Sequence, residues 1–320
     1  MTTLVLLLAI AAPALAAPLL FSAGSASRAA RRFGPWAALP TLLLAAAPVS
    51  FPTIEVPWLL IGSRFGLDPI GRTFLIAAAL LWTASGVYAR TYVTGEGRTR
   101  FLFFYLLTMS GNLGLTVAAD AAGFYLFFAF MTFAAYGLIV HRGDAEAKWA
   151  GRVYLVMAVI AEAFLLAGVV VAAQAAGTTE LAAIPGGVGG SGRAGTVTLL
   201  LLLGFAVKAG AVPLHVWLPL AHPVAPTPAS AVLSGCMIKA GLLGWLRFLP
   251  LGEAALPHWG AAVAALGVVA AFFGVIVGMT QTDPKTVLAY SSISQIGVMN
   301  VGVGLALAEP MGAAAAVAAV

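Results

Sequence analysis

Long apolar runs, separated by short polar or Pro/Gly-rich connections, fill the whole chain. A bilayer crossing takes about 20 apolar residues in helical form, so the pattern predicts an all-α polytopic transmembrane bundle of about 10–11 helices. The first run, residues 3–22, carries Ala14-Leu15-Ala16 near its end, a small-residue pattern that resembles a signal-cleavage site. It lacks a basic segment before it and is followed at once by Arg28, Arg31 and Arg32, so it reads as a retained first helix with its N-terminus outside. A second run covers about residues 36–50. Residues 51–66, with Pro52, Glu55, Pro57 and Arg64, read as an exposed, partly re-entrant loop. Span three follows Asp68 and ends near Arg90; spans four and five cover about 101–119 and 122–140, with Asp120 between them. After the charged stretch 141–152, span six (about 153–173) carries Glu162 near its middle. Residues 174–195, with PGGVGGSG, read as a flexible external loop. Spans seven and eight lie within residues 203–248 and are joined by a Pro-rich, His-bearing turn. Span nine covers about 261–280, span ten begins after Asp283-Pro284-Lys285, and the sequence ends in an eleventh apolar run.

Composition agrees with this reading. With 62% hydrophobic and 8% charged residues the chain has too little polar surface to cover a water-soluble globule. The net charge of +5 would suggest nucleic acid in a soluble protein, but topology accounts for it here. Alternate connections hold ten basic residues (Arg28, Arg31, Arg32, Arg90, Arg98, Arg100, Arg142, Lys148, Arg152, Lys285). The opposite side holds four, Arg64, Arg72, Arg193 and Arg247, which assigns the richer side to the cytoplasm. A single cysteine, Cys236, rules out a disulfide and a multi-cysteine metal or iron–sulfur site. Motifs for phosphate, nucleotide or HExxH zinc chemistry do not occur. No cofactor is expected.

Lys208 and Lys239 are the residues that call for a function. Each lies about halfway along an apolar span, where a charge costs roughly 2.5–3.5 kcal/mol on insertion scales. A desolvated lysine can exchange protons, whereas snorkelling or a structural ion pair is the alternative. Pro213 and Pro219 follow Lys208 and interrupt span seven; broken membrane helices free backbone groups and commonly line a hydrated cavity. His215 and His222 in the same stretch are candidates for a proton path or for packing hydrogen bonds; a metal site lacks a third nearby ligand. Glu162, the one acidic residue well inside a span, can partner Lys208 or bond a neighbouring helix. Asp120, Asp68 and Glu55 read as solvated charges at span ends, and Ser291 to Gln295 give span ten a polar face that holds water or ties helices together.

The strings KAGAVPLHVWLPLAHPVAPTPASA, SGCMIKAGLLGWLRF and QTDPKTVLAYSSISQIGVM resemble the antiporter-like membrane subunits of respiratory complex I, Mrp-type cation/proton antiporters and group 4 hydrogenases. The AHPxAP turn and SGxMIK string are most similar to the large membrane subunits of the hydrogenase-4 and formate hydrogenlyase branch. The resemblance is strong over about residues 200–305 and general before that. It implies an inverted-repeat antiporter-like fold with a broken seventh helix, and a midplane relay in which Lys208 is the central lysine while Lys239, His215 and His222 pass protons onward. It also implies N-terminal helices over 1–100, a first repeat over 101–250 and an incomplete second repeat over 251–320. Family members usually carry a glutamate on the fifth helix; Met131 and Thr132 stand there, so either Glu162 replaces it or Lys208 is tuned differently and the first half-channel does not pump. They also commonly have about fourteen helices, which implies a fragment or a bundle completed by a separate polypeptide.

The expected function is proton conduction, with or without cation exchange (Na+ or K+), in a bacterial inner-membrane complex driven by peripheral redox subunits and joined to other membrane subunits. The chain itself would hold no catalytic centre, and would be part of an NADH-quinone oxidoreductase-like or hydrogenase-like translocase. Two alternatives are a redox-independent Mrp-type antiporter or proton-coupled inorganic-carbon uptake subunit, and a structural subunit that has lost transport.

Overall fold

A computed structural model describes residues 1–59 and 62–309; the eleventh apolar run lies outside the described residues. The protein is an all-α integral membrane protein, 78% helical, with one two-stranded hairpin. Seven helical stretches are long and apolar enough to cross a membrane among the described residues: 2–21, 69–92, 121–142, 145–176, 227–248, 257–279 and 284–308. The chain forms two compact units, one of Met1–Leu155 with Val224–Met237, the other of Val156–Pro223 with the chain from Ile238 onward.

The first unit contains α1 (Thr2–Ala16), α2 (Ser25–Phe33), α3 (Leu39–Ala46), β1 (Phe51–Val56), β2 (Ser63–Leu67), α4 (Pro69–Tyr92), α5 (Arg98–Val117) and α6 (Ala121–Ile139). The start of α7 (Ala145–Ala176) and the short α11 (Thr227–Val232) complete it. The second apolar run is not one continuous helix, yet it runs alongside α4: Trp36 lies against Arg90, and the Ala47 and Val49 carbonyls accept from Arg72. Its α3 has 8 residues, roughly 12 Å of helix, because Pro40 starts it and Ala47, ahead of Pro48, is extended. The stretch read as a loop is instead an antiparallel hairpin pairing Phe51 with Leu67 and Glu55 with Arg64.

Asp120 is not a solvated charge. Only 3% exposed, it accepts from Gly123 N at 2.8 Å, capping α6, and from Arg64 N at 2.8 Å, while Ala119 N donates to Arg64 O at 2.9 Å. One buried carboxylate thus clamps β2 to the α5–α6 connection. Within the unit, Trp82 donates to Asn112 at 2.8 Å and Tyr105 donates to the Trp82 carbonyl at 2.7 Å, so the polar groups of α4 and α5 satisfy each other away from water.

The second unit holds the rest of α7, α8 (Ile184–Gly189), α9 (Ala194–Ala209), α10 (Trp217–Val224), α12 (Ile238–Phe248), α13 (Pro257–Met279) and α14 (Pro284–Ala308). Within residues 174–195, expected as a flexible external loop, Ile184–Gly189 form the short α8, with Gly187 seated on the Ala176 backbone. The α13–α14 pair packs backbone to backbone. A Cβ on Gly267 would come within 2.6 Å of Gly297 O, and one on Gly304 within 2.5 Å of Ala264 N. In lipid, where burying apolar surface between helices gains little, such close contact is what joins them. Ser294 Oγ adds a 2.9 Å bond to Ala271 O, so part of the serine face ties helices together. Asp283 caps α14 at Thr286 N, and Pro284 supplies a preset first turn.

Candidate functional site

The site is set by how α7 and α9 cross. Leu165 packs on Gly204, where a Cβ would meet the Leu165 side chain at 2.5 Å, and Gly168 packs on Leu201. Those two pairs run antiparallel in constant register. One further turn along, Glu162 on α7 arrives opposite Val207 and Lys208 on α9. Glu162 is 6% exposed and Lys208 3% exposed, and the Glu162 carboxylate is the charge that acts on the Lys208 ammonium. The structure thus brings Glu162 and Lys208 to facing positions of α7 and α9 in the second unit.

Lys208 also stands at the end of a helix. With 16 residues α9 is roughly 24 Å long, short of the apolar thickness of a bilayer, so its C-terminal turn ends inside the chain's own apolar surroundings. Gly210, at φ +70°, closes the helix: Gly210 N donates to Val207 O at 3.2 Å and Ala211 N to Ala206 O at 2.9 Å. A side chain with a Cβ is strained in that left-handed conformation, which is why glycine stands there. The negative end of the α9 dipole falls on Lys208.

Trp217, at the start of α10, completes the pocket. Its indole nitrogen donates to Val207 O at 2.6 Å, and its ring lies 5.9 Å from Lys208 Nζ. The sequence reading did not single out Trp217; only the reversal of the chain between α9 and α10 brings it back over the lysine. Pro213 lies in the break between the two helices. Pro219 sits in the first turn of α10, where a missing N–H costs nothing.

The remaining sequence candidates occupy separate places. His215, half-buried in the break, sets its ring edge-on to Phe273 at 5.1 Å. His222 is fully buried on α10 and lies within electrostatic reach of Lys285, in the first turn of α14. The sequence reading had counted Lys285 only as a loop charge. α12 packs on α9 through Gly241, whose Cβ would lie 2.8 Å from Phe205 O and 2.9 Å from Ala209 N. Lys239, half-buried, is two residues earlier, about 200° around the helix from that contact. It sits on the side of α12 turned from α9.

In the first unit, the positions where the family's helix-five glutamate was expected are buried in α6. Thr132 O accepts from Tyr154 Oη at 2.6 Å, and Met131 Sδ accepts from Asn112 Nδ2 at 3.2 Å. Thr132 Oγ1 has no hydrogen-bond partner among the described residues.

Residues 118–319 match the family described as NADH:quinone oxidoreductase/Mrp antiporter, TM. The chain is 31% identical over 247 residues to hydrogenase-4 component B of Escherichia coli (strain K12), covering 75% of this chain and 37% of that protein. It is 32% identical over 269 residues to the putative antiporter subunit mnhA2 of Staphylococcus saprophyticus, covering 80% and 33%. To NADH-quinone oxidoreductase subunit N of Paraburkholderia phymatum it is 31% identical over 279 residues, covering 84% and 54%. The chain thus spans about a third to a half of these relatives. Its fold superposes on a chain of the membrane-bound sulfane sulfur reductase, an archaeal respiratory membrane complex, with a TM-score of 0.81 and 23% identity, covering 94% of this chain and 64% of that one. A chain of the Mrp complex from Dietzia sp. DQ12-45-1b gives 0.80 and 26%, covering 95% and 34%. These relatives and structural neighbours are subunits of multisubunit membrane complexes. On the match over residues 118–319, with the broken helix and its buried lysine in place, the chain belongs to the NADH:quinone oxidoreductase/Mrp antiporter transmembrane family.

Proposed function

We propose that this chain conducts protons through the second unit as a subunit of a larger, redox-driven complex in a bacterial inner membrane, with its N-terminus outside. The observation that carries the reading is the buried Glu162–Lys208 pair at the break of the α9–α10 helix. Lys208 takes and releases the proton, Glu162 sets the stability of its charged form, and Trp217 holds the end of α9 in place. His215, His222 and Lys239 pass protons onward, and Lys285 biases the charge of His222. The driving energy would come from partners, since no electron carrier is expected in this chain.

Resemblance to hydrogenase-4 component B favours redox coupling. Resemblance to mnhA2 and to the Mrp complex supports a second reading, in which protons are exchanged for Na+ or K+ without redox chemistry. Proton flux in inside-out vesicles bearing the intact complex tests both. Under the first reading flux follows electron donor addition, and Lys208→Ala and Glu162→Gln abolish it while assembly persists. Under the second it follows a cation gradient without a donor. If neither substitution alters flux, the proton path is elsewhere and this unit is structural.

A further inference from the structure

An apolar groove of about 550 Å³ lies on the first unit. Ala12 and Ala16 of α1, Ala30 and Phe33 of α2, and Trp36 line it, with Leu106 of α5 among its walls. Its walls are alanines, prolines, leucines and two aromatic rings, almost wholly apolar, the form of a slot for a hydrocarbon chain rather than for a polar ligand.

The rim has the opposite chemistry. Phe33 and Trp36 are both exposed, and each carries a guanidinium: Arg32 lies 5.8 Å from the Phe33 ring and Arg90 lies 5.6 Å from the Trp36 ring. Arg90 also lines a neighbouring recess together with Arg98. α2 is strongly two-faced, with Ala26, Ala29, Ala30 and Phe33 toward the groove and Arg28, Arg31 and Arg32 elsewhere around the helix; Arg31 is used by the fold, reaching Leu20 O at 3.5 Å. Residues 1–54 contain no aspartate or glutamate, and no ion pair to a carboxylate engages Arg32, Arg90 or Arg98 among the described residues. An apolar slot opening beneath unneutralised arginines held on aromatic rings is complementary to a molecule with an acyl chain and a phosphate.

We infer that this groove is a binding site for an anionic phospholipid, with one acyl chain between α1 and α2 and the phosphate against Arg32 and Arg90. Two guanidiniums near the headgroup supply about fivefold preference each over a zwitterionic lipid, roughly 30-fold together.

The test uses the full-length protein in its native membrane complex, reconstituted in vesicles doped with phosphatidylglycerol or phosphatidylcholine bearing a photoactivatable acyl chain. Cross-linked peptides are located by mass spectrometry. The anionic probe should label the segment spanning residues 9–40 at least tenfold more than the zwitterionic probe. Arg32→Gln with Arg90→Gln should remove the preference, and Ala12→Phe, which fills the slot and leaves the charges, should lower labelling by both probes. Equal labelling by the two probes would reduce the groove to ordinary lipid contact and overturn the site. Absence of labelling by either probe would mean that another subunit covers the groove, and would overturn the site equally. The substituted arginines are exposed, and recovery of the intact complex verifies folding of each variant.

Discussion

If Glu162 and Lys208 act as a pair, removing one charge should harm the protein more than removing both. Both side chains are under a tenth exposed, so solvent screening does little to soften the loss. Stranding one member of such a pair costs about 3–5 kcal/mol, whereas replacing both with neutral groups of similar shape is close to neutral. Glu162→Gln and Lys208→Met keep the packing on Leu165, Gly204 and Trp217. Each alone should lower unfolding free energy by about 3 kcal/mol, reduced by whatever relief Lys208 gains from releasing its proton once Glu162→Gln has removed the carboxylate. The double variant should lose no more than either single variant. Measured by equilibrium unfolding in mixed micelles, the coupling should fall at the upper end of the 0.5–3 kcal/mol range for interacting residues. Additivity within about 0.5 kcal/mol would show that the two groups do not sense each other, and the register argument between α7 and α9 would fail with it.

Gly241→Ala should destabilise the second unit by about 1–3 kcal/mol in the same assay, because its Cβ meets backbone atoms of α9, whereas Gly192→Ala, with nothing within 4 Å, should be silent. Asp120→Ala should cost at least the ~0.5–2 kcal/mol of a lost helix cap and expose the hairpin to proteolysis near Gly62, while Asp120→Asn, which can still cap, should be milder. Asp144, at the water-exposed start of α7, has its carboxyl held below the usual aspartate value first by the Ala147 N–H and further by Arg142. A depressed carboxylate stabilises the fold above its unfolded value, near pH 4, and loses that contribution as the pH falls through the folded value. Protection of the Ala147 amide, taken relative to its intrinsic exchange rate at each pH, should therefore fall on acidification below about pH 4, and in Asp144→Asn it should not change with pH.

The membrane class, the break after Lys208 and the choice of Glu162 and Lys208 as buried charges were legible because each rests on a local signal: apolar length, proline and glycine, or a rare charge in an apolar run. What was hidden depends on the chain meeting itself. Residues 36–50 read as one apolar run, yet Pro40 and Pro48 bound an 8-residue helix within it, and apolarity alone does not report that break. Asp120 looked solvated because its partner, Arg64 N, lies 56 residues back. Trp217 over Lys208 and Lys285 beside His222 follow from helix reversals, which no periodicity encodes. Lys239 shared the rarity of Lys208, but the packing face of α12, set by Gly241, places it elsewhere.

The Asp120 clamp also imposes an order on synthesis. Ala119 N donates to Arg64 O and Arg64 N donates to the Asp120 carboxylate, so the hairpin cannot lock until the chain has been made through α5. At about 5–20 residues per second the 56-residue interval leaves β2 waiting roughly 3–11 s after it leaves the ribosome. During that wait its strand pairing is the only regular structure it can form. The first unit is therefore sealed from behind, by a residue delivered after two further helices have been made, and insertion of α4 and α5 must precede closure of the segment that came before them.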